Sequence, residues 1–117
     1  MSRTELTVTQ ITRDGVLDAG TAGIAAGHMF VNSGRCFIEV ANSDSGAGRT
    51  ITFVTPKTLV SLALSDLPVE IPASGSRLIG PFPGDIFTLQ SGVDEGMVYI
   101  NYEAGQHTKF TVKVYEL

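Results

Sequence analysis

The chain has no tryptophan, one cysteine and two histidines among its 117 residues, and only 17% of them are charged. Each scarcity removes a class of protein. A lone Cys36 forms no internal disulfide and no multi-thiolate zinc site. It stands in the alternating run Arg35-Cys36-Phe37-Ile38-Glu39-Val40, where a cysteine acts as a small buried hydrophobe. Basic residues are also few, eight against twelve acidic ones, for a net charge of −4. Nucleic acid is therefore not expected as a partner, because that affinity comes from Lys and Arg neutralising phosphates. Apolar runs are short and broken by Ser, Gly, Pro or Asp, so no stretch approaches the ~18 residues of a membrane span, and no membrane partner is expected. Met1 leads into Ser-Arg-Thr-Glu rather than an apolar segment, which does not read as a secretory signal.

Hydrophobic residues are plentiful at 43%, which argues against disorder and for one domain over residues 1–117 with a real core. Thirteen glycines and five prolines are spread along the chain with β-branched residues between them, the pattern of many short strands joined by turns. Leu6 and Val8 alternate with Glu5, Thr7 and Thr9, predicting one half-buried strand over Thr4–Ile11. Residues 19–27 carry Gly20, Gly23 and Gly27, each costing about 1 kcal/mol in a helix, and read as loop. Met29–Asn32 and Arg35–Asn42 read as two strands of a hairpin about Asn32-Ser33-Gly34. Further strands are expected at Arg49–Val54, Val69–Ile71, Arg77–Ile79, Gly96–Glu103 and Phe110–Tyr115. Thr58–Asp66 reads as irregular or a short helical turn, since Pro68 follows its leucines closely. Pro81 and Pro83 confine their segment to an edge or a crossing loop. The sum is an all-β domain, a sandwich or flattened barrel of about eight short strands with no long helix.

Catalytic patterns do not assemble. Gly46-Ala47-Gly48-Arg49-Thr50 has the wrong spacing for a phosphate loop, has Arg in place of Lys, and leads into a strand. No serine has the glycines of a nucleophile elbow around it. His28 and His107 lie 79 positions apart without an acid at ligand spacing. Asp94-Glu95 are consecutive in a turn rather than alternating as in a calcium loop, and Asp14 with Asp18 is a weaker pair still. No cofactor and no enzymatic step are expected. What remains is surface. Gly96–Glu103 is apolar on both alternating sides, so one face should meet a core and the other a contact. Phe82 and Phe87, set among Pro and Gly, either plug the end of the sandwich or anchor a subunit contact.

The run His28-Met29-Phe30-Val31-Asn32-Ser33-Gly34-Arg35-Cys36-Phe37-Ile38-Glu39-Val40-Ala41-Asn42, followed by Thr50-Ile51-Thr52-Phe53-Val54-Thr55, is similar to small proteins of tailed bacteriophages. A second signature is Val69-Glu70-Ile71-Pro72-Ala73 with Arg77-Leu78-Ile79-Gly80-Pro81-Phe82-Pro83, and Thr7–Thr12 matches their opening strand. The chain resembles the capsid decoration proteins of phage heads over nearly its whole length. That resemblance implies a virion protein on the outer capsid surface, bound to the major capsid protein, often as a homotrimer at threefold positions, without catalytic residues. Similar small β-folds also serve as tail-tube, head-completion and fibre components. A ligand- or carbohydrate-binding β-sandwich is the competing class, but it usually presents Trp platforms and often Ca²⁺ loops, and this chain has neither. Candidate subunit or capsid contacts are Leu6, Val8, Arg77, Phe82 and Phe87. Leu6 and Val8 belong to a segment, residues 1–12, that is either the first strand of its own sandwich or an arm adding to a neighbour's sheet. Arg77 would meet a partner carboxylate or serve within its own subunit.

Overall fold

Among the described residues, seven of the eleven steps from one strand to the next pass between the two main sheets. The computed structural model describes residues 3–16, 20–55, 58–59, 62–63, 66–82, 87–89 and 94–117. The strands are β1 (Thr4–Glu5), β2 (Val8–Gln10), β3 (Thr21–Ala22), β4 (His28–Val31), β5 (Cys36–Asn42) and β6 (Arg49–Phe53). Then come β7 (Thr58–Leu59), β8 (Leu62–Ala63), β9 (Leu67–Ile71), β10 (Ser76–Ile79), β11 (Met97–Tyr102) and β12 (Phe110–Glu116). One sheet has the order β1-β4-β11-β6-β9; the other has β10-β5-β12-β2, with β3 also on β12. The β1–β4 and β2–β12 pairs are parallel and the remaining ladders antiparallel. The domain is all-β, two mixed sheets packed as a sandwich, as the two-residue periodicity requires. Among the described residues no helix is long and apolar enough to cross a membrane.

The core follows from alternation. Cys36, Ile38, Val40 and Asn42 of β5 point inward beside Phe110, Val112 and Val114 of β12, and the two strands run antiparallel in register from Phe110↔Asn42 to Glu116↔Cys36. Across the sandwich they meet Phe30, Ile51, Phe53, Ile71, Val98 and Ile100. Cys36 is fully buried, the hydrophobic role its setting predicts.

Four expectations need correction. Residues 19–27 read as loop, but within them Thr21–Ala22 form β3 and pair antiparallel with β12. Residues 29–32 and 35–42 do not form a hairpin: β4 pairs with β1 and β11, whereas β5 pairs with β12 and β10. The Asn32 Oδ1 accepts the Gly34 N–H at 2.9 Å and the Ser33 Oγ accepts the Arg35 N–H at 3.3 Å, a side-chain-closed turn that carries the chain from one sheet to the other. A hairpin and a crossing both aim alternate residues at the core, so alternation alone does not separate them. Residues 4–11 are likewise not one strand. β1 ends in the first sheet, Leu6 dives into the core with its N–H on the Met29 carbonyl at 2.7 Å, and β2 begins in the second. Of Thr58–Asp66, read as irregular or a short helical turn, Thr58–Leu59 and Leu62–Ala63 pair as the two-residue ladder β7–β8, while 60–61 and 64–65 lie outside the described residues.

One polar residue joins the crossings. Asn42 is buried, and its Nδ2 donates to the carbonyls of Ala47 and Ile71 at 3.1 Å while its Oδ1 accepts the Asp44 N–H at 2.9 Å. Its own N–H reaches the Gly75 carbonyl at 2.9 Å. Asn42→Ala would leave the Ile71 and Ala47 carbonyls without their donor inside the sandwich, and a loss of about 2–3 kcal/mol is expected by chemical denaturation. Removal of residues 1–12 takes Leu6 from the core and two strands from the sheets. It is expected to abolish cooperative unfolding, whereas an intact fold with lost partner binding would mark the segment as an arm.

Candidate interaction surface

Among the described residues β9 and β10 are each the last strand of their sheet, and the two edges are not alike. On β6, the Thr50 carbonyl accepts the Glu103 N–H and the Val54 N–H reaches the Tyr99 carbonyl, so Thr50, Thr52 and Val54 turn their backbone groups to β11. Alternation then gives Arg49, Ile51 and Phe53 to β9, bonded opposite Ile71, Val69 and Leu67. Pro68 and Glu70 consequently face outward on β9. A proline without an N–H and a charged residue are two standard guards of a free edge.

On β10 the same reasoning gives the reverse. The Asn42 N–H to Gly75 carbonyl bond sets the parity of the β5–β10 ladder, whose register is Arg77↔Val40, Leu78↔Glu39 and Ile79↔Ile38. Arg77 and Ile79 bond inward to β5, so the backbone groups of Ser76 and Leu78 point out. The neighbouring bonds of β5 to β12, Ser43 N–H to Lys109 and Leu117 N–H to Arg35, have the complementary parity. No proline occupies an outward position on β10.

Beside this edge lies an apolar groove of about 400 Å³ lined by Gly34, Phe37, Leu78, Gly80, Pro81 and Leu117 among others. Leu78 is 68% exposed and Leu117 69%, the two most exposed large hydrophobic side chains among the described residues. Phe37 forms the floor, its ring 5.5 Å from that of Tyr115. Glycine at position 80 is required there, because a Cβ would sit 2.8 Å from that of Phe37 and the backbone has φ of 142°. The Arg35 Nε donates to the Leu117 carbonyl at 3.1 Å, and its guanidinium lies 3.7 Å from Glu116, holding that end of β12 against the groove.

The contact candidates read from the sequence divide. Arg77 is exposed on β10, one residue from the groove's Leu78. Val8 is half-buried on β2 opposite Val114. Leu6 and Phe82 are corrections: at 5% and 1% exposure they fill the core of their own subunit and have no surface to present. Phe82 packs between Phe30 and Phe53, at centroid distances of 5.6 and 4.9 Å, and Phe87 lies edge-on to it at 5.5 Å. Asn32 holds that plug by donating to the Phe82 carbonyl and the Thr88 hydroxyl, both at 2.9 Å. The second face of residues 96–103 is met from within the chain. Arg3 stacks over the Tyr99 ring at 4.2 Å, and the Tyr99 hydroxyl donates to Asp94. Leu78 and Leu117 escaped the sequence reading. The signal for Leu78 was its place just before Ile79-Gly80-Pro81, ahead of the prolines that confine that segment to an edge or a crossing loop.

The titratable groups serve the scaffold. His28 is buried on β4, its Nδ1 2.6 Å from the Tyr102 hydroxyl and its ring at right angles to that tyrosine. Burial holds the imidazole below its ordinary pKa and pushes the Tyr102 phenol up. Arg49 bridges Asp44 at 2.6 Å and Glu103 at 2.9 Å, tying the 43–48 loop to the turn after β11. Asp44 is held below the usual carboxylate range by the Gly46 N–H and then by Arg49. Glu103 is held low by the Thr50 N–H and then Arg49. Among the described residues no three His, Cys, Asp or Glu side chains converge as a metal site would require.

The pH dependence follows with its sign. Folded His28 binds its proton more weakly than the unfolded chain, so its contribution is complete above pH 6.5 and declines as pH falls below it. The carboxylates, also held low, add a second loss below pH 4.5. Thermal unfolding across pH should show both steps, and His28→Gln should flatten the upper one while leaving the lower. Compared with protein-family models, curated proteins and solved structures, the chain matches none.

Proposed function

We propose that this chain is a capsid decoration protein of a tailed bacteriophage, bound to the outer surface of the assembled head and bridging subunits of the major capsid protein. The resemblance of residues 28–42, 50–55 and 69–83 to phage head proteins supports the reading on the sequence side. From the structure, the observation that carries it is the apolar groove along β10, with exposed Leu78 and Leu117; Arg77 is exposed on the same strand, on the other face of the sheet. Such an exposed apolar surface on a small domain is a protein-contact surface. Arg77 adds a guanidinium suited to a carboxylate of the shell. In this reading the subunits act as a homotrimer at threefold positions of the virion surface and perform no catalytic step.

A protein that binds only the expanded shell lowers that state's free energy by mass action, roughly 3 kcal/mol per site at a hundredfold excess over Kd. An acidic module suits an outward position, since it gains nothing from the packaged genome. Heads prepared with and without the protein should differ in resistance to heat and chelation, and electron microscopy should place its density on the shell. Arg77→Glu should weaken binding to heads about tenfold or more. Density in the tail, or none on the shell, overturns the reading.

A further inference from the structure

Two crossings between the sheets meet at one end of the sandwich, and a buried imidazole lies beside them. Residues 23–27 carry the chain from β3 to β4, and residues 103–109 carry it from β11 to β12. The Gly23 N–H donates to the Phe110 carbonyl at 3.0 Å. A Cβ at Gly23 would collide with the His107 carbonyl and press on the Tyr102 ring. Tyr102 stands against this contact, its ring 5.2 Å from that of Phe110 and its hydroxyl 2.6 Å from His28 Nδ1. Arg3 pins the other end of the first crossing, donating from Nη1 to the Ile100 carbonyl at 2.8 Å beside Gly27.

A buried O–H needs an acceptor, and His28 Nδ1 is the partner that the Tyr102 hydroxyl has. The neutral ring therefore carries its proton on Nε2. Protonation makes Nδ1 a donor too, leaves the hydroxyl proton without its acceptor and places a cation in a buried site. Both costs are relieved when water reaches the pair. We propose that His28 and Tyr102 form an acid-sensitive latch, whose protonation opens the 23–27 and 103–109 crossings while the remaining ladders stay closed. His28 opens β4, Tyr102 closes β11 and Phe110 opens β12, so fraying at this end breaks few ladder bonds. The charged groups of the surrounding elements are otherwise engaged. Arg3 lies on the Ile100 carbonyl and the Tyr99 ring, and Glu5 follows Met29 to the outer face. Glu103 holds Arg49 and the Thr50 N–H, Lys113 pairs with Glu39, and Lys109 acts on Asp44. His107 is the second titratable ring of this end and serves as a control. The latch is independent of where the protein sits on a virion.

Amide exchange, read as protection factors, tests the latch. Between the ordinary imidazole pKa of 6.5 and the lower value of the closed form, opening takes up one proton. Protection of the Gly23 amide should therefore fall up to about tenfold per pH unit below pH 6.5. Its exchange should be nearly indifferent to low urea, because a local opening exposes little surface. The Glu39 and Lys113 amides, bonded across β5 and β12 by the parity of that ladder, should instead exchange faster as urea rises. His28→Gln should remove the pH dependence from Gly23, and His107→Gln should leave it. Tyr102→Phe keeps the ring on Phe110 and takes the donor from Nδ1, so the His28 titration followed by NMR should move to higher pH. Gly23 exchange that tracks Glu39 and Lys113 in urea overturns the proposal, as does pH dependence removed by His107→Gln. In the wild type, a neutral His28 ring protonated on Nδ1 also overturns it, whether or not the variants fold.

Discussion

A single buried amide, that of Asn42, sets much of what the rest of this molecule can do. Its side chain bonds to the end of β9 and to the 43–48 loop, and its backbone N–H bonds to the turn that starts β10. Three segments separated along the chain are thereby held at one corner of the sandwich. A buried amide of this kind stabilises only when its partners are all in place, and each partner is a carbonyl or N–H that would otherwise be stranded away from water. The geometry of β10 descends from it. Once Asn42 is bonded to Gly75, the alternation of an antiparallel ladder decides which β10 backbone groups are used and which are left at the edge.

The two sheets are linked by crossings more than by hairpins, and the crossings explain where the aromatics go. Leu6 enters the core between β1 and β2, and Phe82 enters it after β10, each at a point where the chain leaves a sheet. Such residues lie outside any strand alternation, yet they seal the sandwich where its layers would otherwise gape. Phe82 against Phe30, Phe53 and Phe87 is a packed aromatic cluster, and edge-to-face contacts of this kind add to the area they bury. Among the described residues the two most exposed large apolar side chains are Leu78 and Leu117, which line the groove with Phe37.

The difference between the β9 and β10 edges joins the local chemistry to the proposed role. A free strand edge is a template for pairing with another chain, and proline and charge are the usual guards against it. Pro68 and Glu70 close one edge to pairing, while Ser76 and Leu78 leave the other able to pair. The ion triad of Arg49, Asp44 and Glu103 and the buried His28–Tyr102 pair lie away from that edge and hold loops and core strands in place.

The all-β class, the positions of the long strands and the burial of Cys36 were legible in the sequence, because two-residue alternation and turn residues are local properties. Pro81 and Pro83 marked their segment as an edge or a crossing loop, and β10 ends at Ile79 just before it. The partner of each strand was not legible: Asn32-Ser33-Gly34 closes a turn equally well within a sheet or between two, and residues 4–11 alternate as one strand although they serve two sheets. Nor could the sequence separate Phe82, a core plug, from Leu78, a surface residue, since both sit beside Gly and Pro. Tertiary structure decided these matters because strand pairing and burial depend on which distant segment, β12 for β5 and β11 for β4, offers the better ladder. That choice is a property of the whole chain and of no window within it.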